Sequence, residues 1–296
     1  MRTVIITGAG AGIGRETAKL FASHGDRVIL ADIDTAAAED VAIEIVASGG
    51  TAIARTLDVS KEEQWEQFGA WVRTEFGAPD VLINNAGIMD LGGFLEMSAA
   101  QWQRTIDVDL MSVVYGSRTF AQQMIDAGVH GHIVNISSAA AFLPTKLEPA
   151  YGVAKAAVLM ATQSLRVELA RHEIGVTAIA PGVIRTELLA HGNRAGLADE
   201  ELAVWTAKAG AAQELAYAGP DKVARVIHRA VRHNWAIVPV NPEAWAIYYL
   251  FRLSPGLVRW GLGIASFERA EAILRRFTPL INRVASSRSA QEEHSR

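Results

Sequence analysis

The sequence predicts a doubly wound α/β fold, a parallel sheet of about seven strands covered by helices on both faces. Three observations carry this. Short β-branched runs alternate with longer segments whose apolar residues recur at helical spacing. The first run passes through a glycine-rich turn into a helical pattern. Half of the 296 residues are hydrophobic, enough for one large core and an appendage.

Taken in order, the strands are Thr3–Thr7, Arg27–Ala31, Thr51–Thr56, Val81–Asn84, His132–Ser137, Gly175–Ala180 and Ala236–Val240. Arg15–His24, Thr35–Ser48, Ala100–Gln123 and Ala150–His172 have helical spacing. Alternation of this kind places the strands in parallel, linked by right-handed crossovers. The strand pattern begins at Met1-Arg2-Thr3, so no secretory signal is expected there. Cysteine is absent, which excludes a disulfide framework and thiolate metal sites and suits the cytoplasm. No H-E-x-x-H occurs and no metal is expected. His24, His130, His132 and His172 fall at element ends, where surface or capping roles are expected. The net charge of −4 argues against a nucleic-acid binder. Charge is uneven, however: residues 244–296 hold eight arginines and four glutamates, leaving −8 on the rest.

The turn after the first strand, Thr7-Gly8-Ala9-Gly10-Ala11-Gly12-Ile13-Gly14, opens a helix. A loop there can present backbone N–H groups to a pyrophosphate at the positive helix end. Gly8, Gly12, Ile13 and Gly14 are the candidate contacts. Asp32 closes the second strand, where a carboxylate binds adenosine ribose hydroxyls and repels a 2′-phosphate. NAD is therefore expected over NADP, with nearby Arg15 the counter-indication. Asp58, followed by Val59, ends the third strand. It is placed to meet an adenine amine or to cap the next helix near Ser60.

Tyr151 and Lys155 are four residues apart and share a helix face. An ammonium beside a phenol favours the phenolate and is expected to lower its pKa. Ser138 lies upstream and can hold the oxygen of an alcohol or ketone.

Together these residues resemble the short-chain dehydrogenase/reductase family over roughly residues 1–240. The glycine motif, Asn84-Asn85-Ala86-Gly87 after the fourth strand, Ser138 thirteen residues before Tyr151-x-x-x-Lys155, and Pro181-Gly182-Val183-Ile184-Arg185-Thr186 after the sixth strand occur in the family's order. The resemblance implies a Rossmann-type domain that oxidises alcohols or reduces carbonyls. It makes Tyr151 the general acid/base, and Lys155 its partner and a ribose ligand. Ser138 becomes the substrate anchor. Asn85, Ala86, Gly87, Pro181, Gly182, Ile184 and Thr186 become cofactor contacts. One position departs: Val108-Asp109-Leu110 stands where the family has V-N-L. Asp109 is expected to stabilise the Lys155 ammonium. The alternative is a degraded, nucleotide-sensing binding protein.

The resemblance places the substrate among Ile88, Met89, Leu91, Phe142, Leu143, Leu188, Leu189, Leu197 and Trp205, which suits a hydrophobic secondary alcohol or ketone. It also suggests a homodimer or homotetramer through Ala100–Gln123 and Ala150–His172, with Val158, Leu159, Leu165 and Leu169 as apolar surface, some of which must face their own sheet. Residues 241–296 lie beyond the resemblance and are expected to form a helical extension. Three roles are open for it: a lid or arm packed on the same or a neighbouring subunit, peripheral membrane contact, which its aromatic residues and arginines suit, or an oligomerisation element.

Overall fold

The computed structural model describes residues 1–185, 188 and 218–264. Met1–Tyr249 form one compact unit and Leu250–Arg296 a second.

The first unit is built on seven parallel strands: β1 (Thr3–Thr7), β2 (Arg27–Asp32), β3 (Thr51–Thr56), β4 (Val81–Asn84), β5 (His132–Ile136), β6 (Gly175–Ala180) and β7 (Ile237–Pro239). Their order is β3-β2-β1-β4-β5-β6-β7. The order reverses between β1 and β4, and a crevice opens there beyond the strands' carboxyl ends, where ligands bind in such sheets.

The helices are α1 (Gly12–Ser23), α2 (Thr35–Ala47), α3 (Glu62–Phe76), α4 (Ala99–Ile106), α5 (Ser112–Ala127), α6 (Pro149–Leu169), α7 (Pro220–His233), α8 (Pro242–Leu253) and α9 (Pro255–Ile264). Strand residues alternate between two cores. Val4 and Ile6 of β1 join Phe21 of α1, Val41 of α2 and Ile227 of α7. Ile5 joins Trp65 and Phe68 of α3 and Phe120 and Met124 of α5 on the other face. Trp65 is fully buried and its indole donates to the Val59 carbonyl at 2.9 Å. A Cβ at Gly116 would lie 2.7 Å from that indole, so only glycine lets α5 pack so closely there.

Two expectations need correction. The continuous helix over Ala100–Gln123 is interrupted by a π-turn, Asp107–Met111. His132 is 6% exposed, not a surface histidine, because its ring bonds the Thr177 hydroxyl at 2.8 Å within the sheet. Val158 and Leu169 of α6 are buried, in keeping with the expectation that some apolar residues of this helix turn inward. The exposed apolar residues of that helix are Val153, Met160 and Val167. Among the described residues, no helix is long and apolar enough to cross a membrane.

Candidate active site

The β1–α1 loop is shaped by close approach. Gly8 and Gly12 have positive φ, 61° and 51°. A Cβ at Gly14 would come within 2.0 Å of the Gly8 carbonyl. Having no Cβ, Gly14 lets α1 lie against the loop. The Asn85 side-chain amide donates to the carbonyls of Thr7 and Gly8 at 2.9 and 3.0 Å. The backbone N–H groups of Asn85 and Ala86 donate to the Thr7 hydroxyl. The second motif thus braces the first.

A cavity of about 1640 Å³ runs along the carboxyl ends of the strands. It is larger than the roughly 300–1,000 Å³ typical of small-ligand sites. Gly8, Gly12, Ile13, Asp32, Asp58, Val59, Asn85, Ala86, Gly87, Asp109, Ser138, Tyr151, Lys155, Pro181, Gly182 and Ile184 all line it. Thr186, Leu189, Leu197 and Trp205 lie outside the described residues. A dinucleotide fits what these residues offer. The N-terminus of α1 is not capped by a side chain, so its first N–H groups face the cavity as a phosphate would require. Asp32 accepts from the Gly10 N–H at 2.8 Å and from the Asp34 N–H at 3.0 Å, which fixes its carboxylate at the rim of β2. Arg15 is paired with Glu44 at 2.6 Å. Asp58 accepts from the backbone and hydroxyl of Ser60 through one oxygen, so it does serve as a turn cap.

The catalytic candidates converge from three elements. Ser138 caps the single 3₁₀ turn Ala139–Phe142 after β5, accepting from the Ala140 N–H at 3.1 Å. Tyr151 and Lys155 stand on α6, 5% and 3% exposed, with the Lys155 ammonium 5.5 Å from the Tyr151 ring centre. Ser138 stands close enough to the Tyr151 oxygen to favour its phenolate. Asp109 comes from the π-turn, a distortion that is frequent at functional sites. It is fully buried and meets Lys155 Nζ at 3.0 Å. Lys155 also donates to the Ile136 carbonyl at 3.2 Å, and the Ile88 N–H reaches Asp109 Oδ1 at 3.3 Å. Gly87 makes room for this pair, since a Cβ there would stand 2.6 Å from Asp109 Oδ1.

The electrostatics correct one expectation. Burial pushes the Tyr151 phenol above its ordinary value, outweighing the lowering by Lys155 and Ser138; Asp109 and Glu148 push it further up. Burial also raises the Asp109 carboxyl. Lys155 loses by its own burial, yet Asp109 and Tyr151 hold its ammonium above the ordinary lysine value. Lys155 and the Ile88 N–H are both aimed at the Asp109 carboxylate and act against its burial to favour the charged form.

The apolar wall holds Ile88, Met89, Leu91, Leu143 and Leu188. Phe142 is not part of it, being 4% exposed and packed behind the wall against Tyr248 at 5.0 Å. The sequence reading missed Glu148, Glu243 and Ile247, which also line the cavity. Glu148 could have been found from its place one turn before Tyr151 on the same helix face. Glu243 and Ile247 lie beyond the motif-bearing region and carried no signal. Among the described residues, no group of three or more histidines and carboxylates is arranged to hold a metal.

A family model described as short chain dehydrogenase matches residues 2–195. The chain belongs to the short-chain dehydrogenase family. It is 43% identical over 258 residues to a probable oxidoreductase EphD of Mycobacterium tuberculosis, across 86% of this chain and 44% of that protein. The chain thus spans less than half the length of this relative. It is 36% identical over 190 residues to a cyclohexanol dehydrogenase of an Acinetobacter strain, across 64% of this chain and 75% of the relative. A family structure from Burkholderia phymatum in complex with NAD superposes with a TM-score of 0.80 at 27% identity, covering 86% of this chain and 94% of that one. A metagenomic family member in complex with NADP superposes at 0.67 with 31% identity, covering 81% and 97%.

Proposed function

We propose that this chain is an NAD(H)-dependent, cytoplasmic oxidoreductase acting on a hydrophobic secondary alcohol or its ketone. The observation that carries the reading is the convergence of Ser138, Tyr151 and Lys155 in the cavity wall. The nicotinamide, when bound, supplies the hydride chemistry. Gly8, Gly12 and Ile13 would hold its pyrophosphate, and Asp32 the adenosine ribose. In alcohol oxidation Ser138 anchors the substrate oxygen and Tyr151, as phenolate, takes the hydroxyl proton. In ketone reduction Tyr151 returns it. Lys155 stabilises the phenolate, and Asp109 keeps Lys155 charged. Asp109 thus completes the ion pair rather than leaving a degraded site, which favours an enzyme over a nucleotide sensor. Asp32, with Arg15 already paired to Glu44, supports NAD over NADP.

Tyr151→Phe removes only the phenolic oxygen. Turnover of a secondary alcohol such as cyclohexanol with NAD should fall about 10²–10⁴-fold, the range of general acid/base effects. Full activity in that variant would sink the mechanism.

A homodimer or homotetramer through α6 is part of this proposal. Val153, Met160 and Val167 recur at the spacing that returns a helix to one face, and all three are exposed. Light scattering that shows only monomer at micromolar concentration would refute it. Peripheral membrane contact is proposed for the C-terminal residues, where Leu253 and Leu257 are exposed. Failure of the full chain to float with anionic liposomes would refute that part.

A further inference from the structure

The charge on the cavity wall is divided by position. Toward the adenosine end, Arg15 is paired with Glu44 and Lys61 lies on the wall. Near the catalytic group the lining cations are Lys155, neutralised by Asp109, and Arg104, neutralised by Asp90. Two further carboxylates face the cavity there. Glu148 is half-buried at the start of α6 and presses electrostatically on Tyr151. Glu243 lies on the first turn of α8, and a Cβ on Gly182 would stand 2.5 Å from its Oε1. Its carboxylate therefore rests over the backbone of the β6 loop. Neither carboxylate has a cation partner among the described residues.

The start of α8 is fastened where this matters. The Val240 N–H donates to the Ala180 carbonyl at 3.1 Å, and the Asn241 side chain donates to the Val183 carbonyl at 3.3 Å. Ala244 is fully buried. Tyr248 packs edge-on against Phe142 of the 3₁₀ turn that Ser138 caps. Ile247, one turn beyond Glu243 on the same face, also lines the cavity.

We propose that the first two turns of α8 form a specificity-determining wall: Ile247 favours an apolar substrate, and Glu243, on the same cavity wall as Glu148, rejects an anionic one. The substrate class is then a neutral alcohol or ketone, not a hydroxy or keto acid. This rests on the proposed alcohol/ketone reading and deepens it. Glu243 is exposed at the rim, so its field is partly screened. Even in bulk water, two like charges about 4 Å apart cost ~1 kcal/mol, about a fivefold preference.

The test is calorimetric titration of the full chain with NAD, using cyclohexanecarboxamide and cyclohexanecarboxylate, which match in shape and differ in charge. Wild type should bind the amide at least about fivefold more tightly, and added salt should narrow the gap. Glu243→Gln should bring the ratio towards one mainly by improving carboxylate binding. Ile247→Ser should weaken both ligands and leave the ratio unchanged. Equal binding by wild type, no detectable binding of either ligand, or an unchanged ratio in Glu243→Gln overturns the assignment. Intact discrimination without turnover of any alcohol would instead sink the proposed enzymatic function and leave the wall standing.

Discussion

Asp109 is the position where this chain departs from its family's pattern, and replacing it has consequences that the geometry makes quantitative. The carboxylate is fully buried and its partner ammonium is 3% exposed, with 3.0 Å between them. In Asp109→Leu the ammonium would keep the Ile136 carbonyl, at 3.2 Å, as its remaining hydrogen-bond acceptor. Removing one partner of a buried pair costs about 3–5 kcal/mol, because the other charge stays behind unpaired. For a domain of this size each kcal/mol moves the melting temperature by about 2–4 °C, so the leucine variant should melt roughly 6–20 °C lower. Asp109→Asn keeps the shape and one acceptor oxygen but not the charge, so its melting temperature should fall between the two. The asparagine variant also isolates the effect on Tyr151. Burial holds that phenol up; Lys155 and Ser138 act downward, while Asp109 and Glu148 act upward. With the Asp109 charge gone and Lys155 in place, the phenolate should form at lower pH. The rising limb of kcat/KM for alcohol oxidation should then move towards acid. Thermal melting and the pH profile, measured on wild type and both variants, check this. If the asparagine variant keeps both the wild-type melting temperature and the wild-type limb, the ion pair does not couple to the relay and the reasoning fails.

Other outcomes follow from single contacts. In Asp32→Asn the Gly10 N–H keeps its acceptor while the charge is lost, so kcat/KM with NADP should rise relative to NAD by at least about fivefold. An unchanged ratio would show that Asp32 does not set the preference. Burial, with Arg166 nearby, lowers the His132 pKa from 6.5 to about 4. The unfolded chain therefore binds this proton first. Stability should be full above pH 6.5 and should fall by roughly 3 kcal/mol as pH drops towards 4. Urea melts should lose that component of the slope in His132→Gln. Gly87→Ala should weaken the Lys155–Asp109 contact by collision and lower both melting temperature and turnover, whereas Gly128→Ala, which meets nothing within 4 Å, should cost only its left-handed backbone strain.

The sequence by itself determined the strands, because short β-branched runs bounded by turns are local signals that a buried parallel sheet leaves intact. It named most of the residues that line the cavity, Ser138, Tyr151 and Lys155 among them, because those residues occur in fixed short motifs. What it could not determine depends on groups distant in the chain. The π-turn at Asp107–Met111 leaves the apolar spacing of its helix unbroken, and what it achieves is visible only when Asp109 is seen against Lys155 and Gly87. The direction of the Tyr151 shift could not be read from a Y-x-x-x-K spacing, since burial by the whole domain outweighs the nearby ammonium. That Gly14 lets the helix lie against the loop is visible only in the three-dimensional packing. Phe142 looked like pocket surface until Tyr248, more than a hundred residues away, covered it. Glu243 and Ile247 belong to the cavity for the same reason: α8 reaches the site through space, and local sequence carries no record of that path.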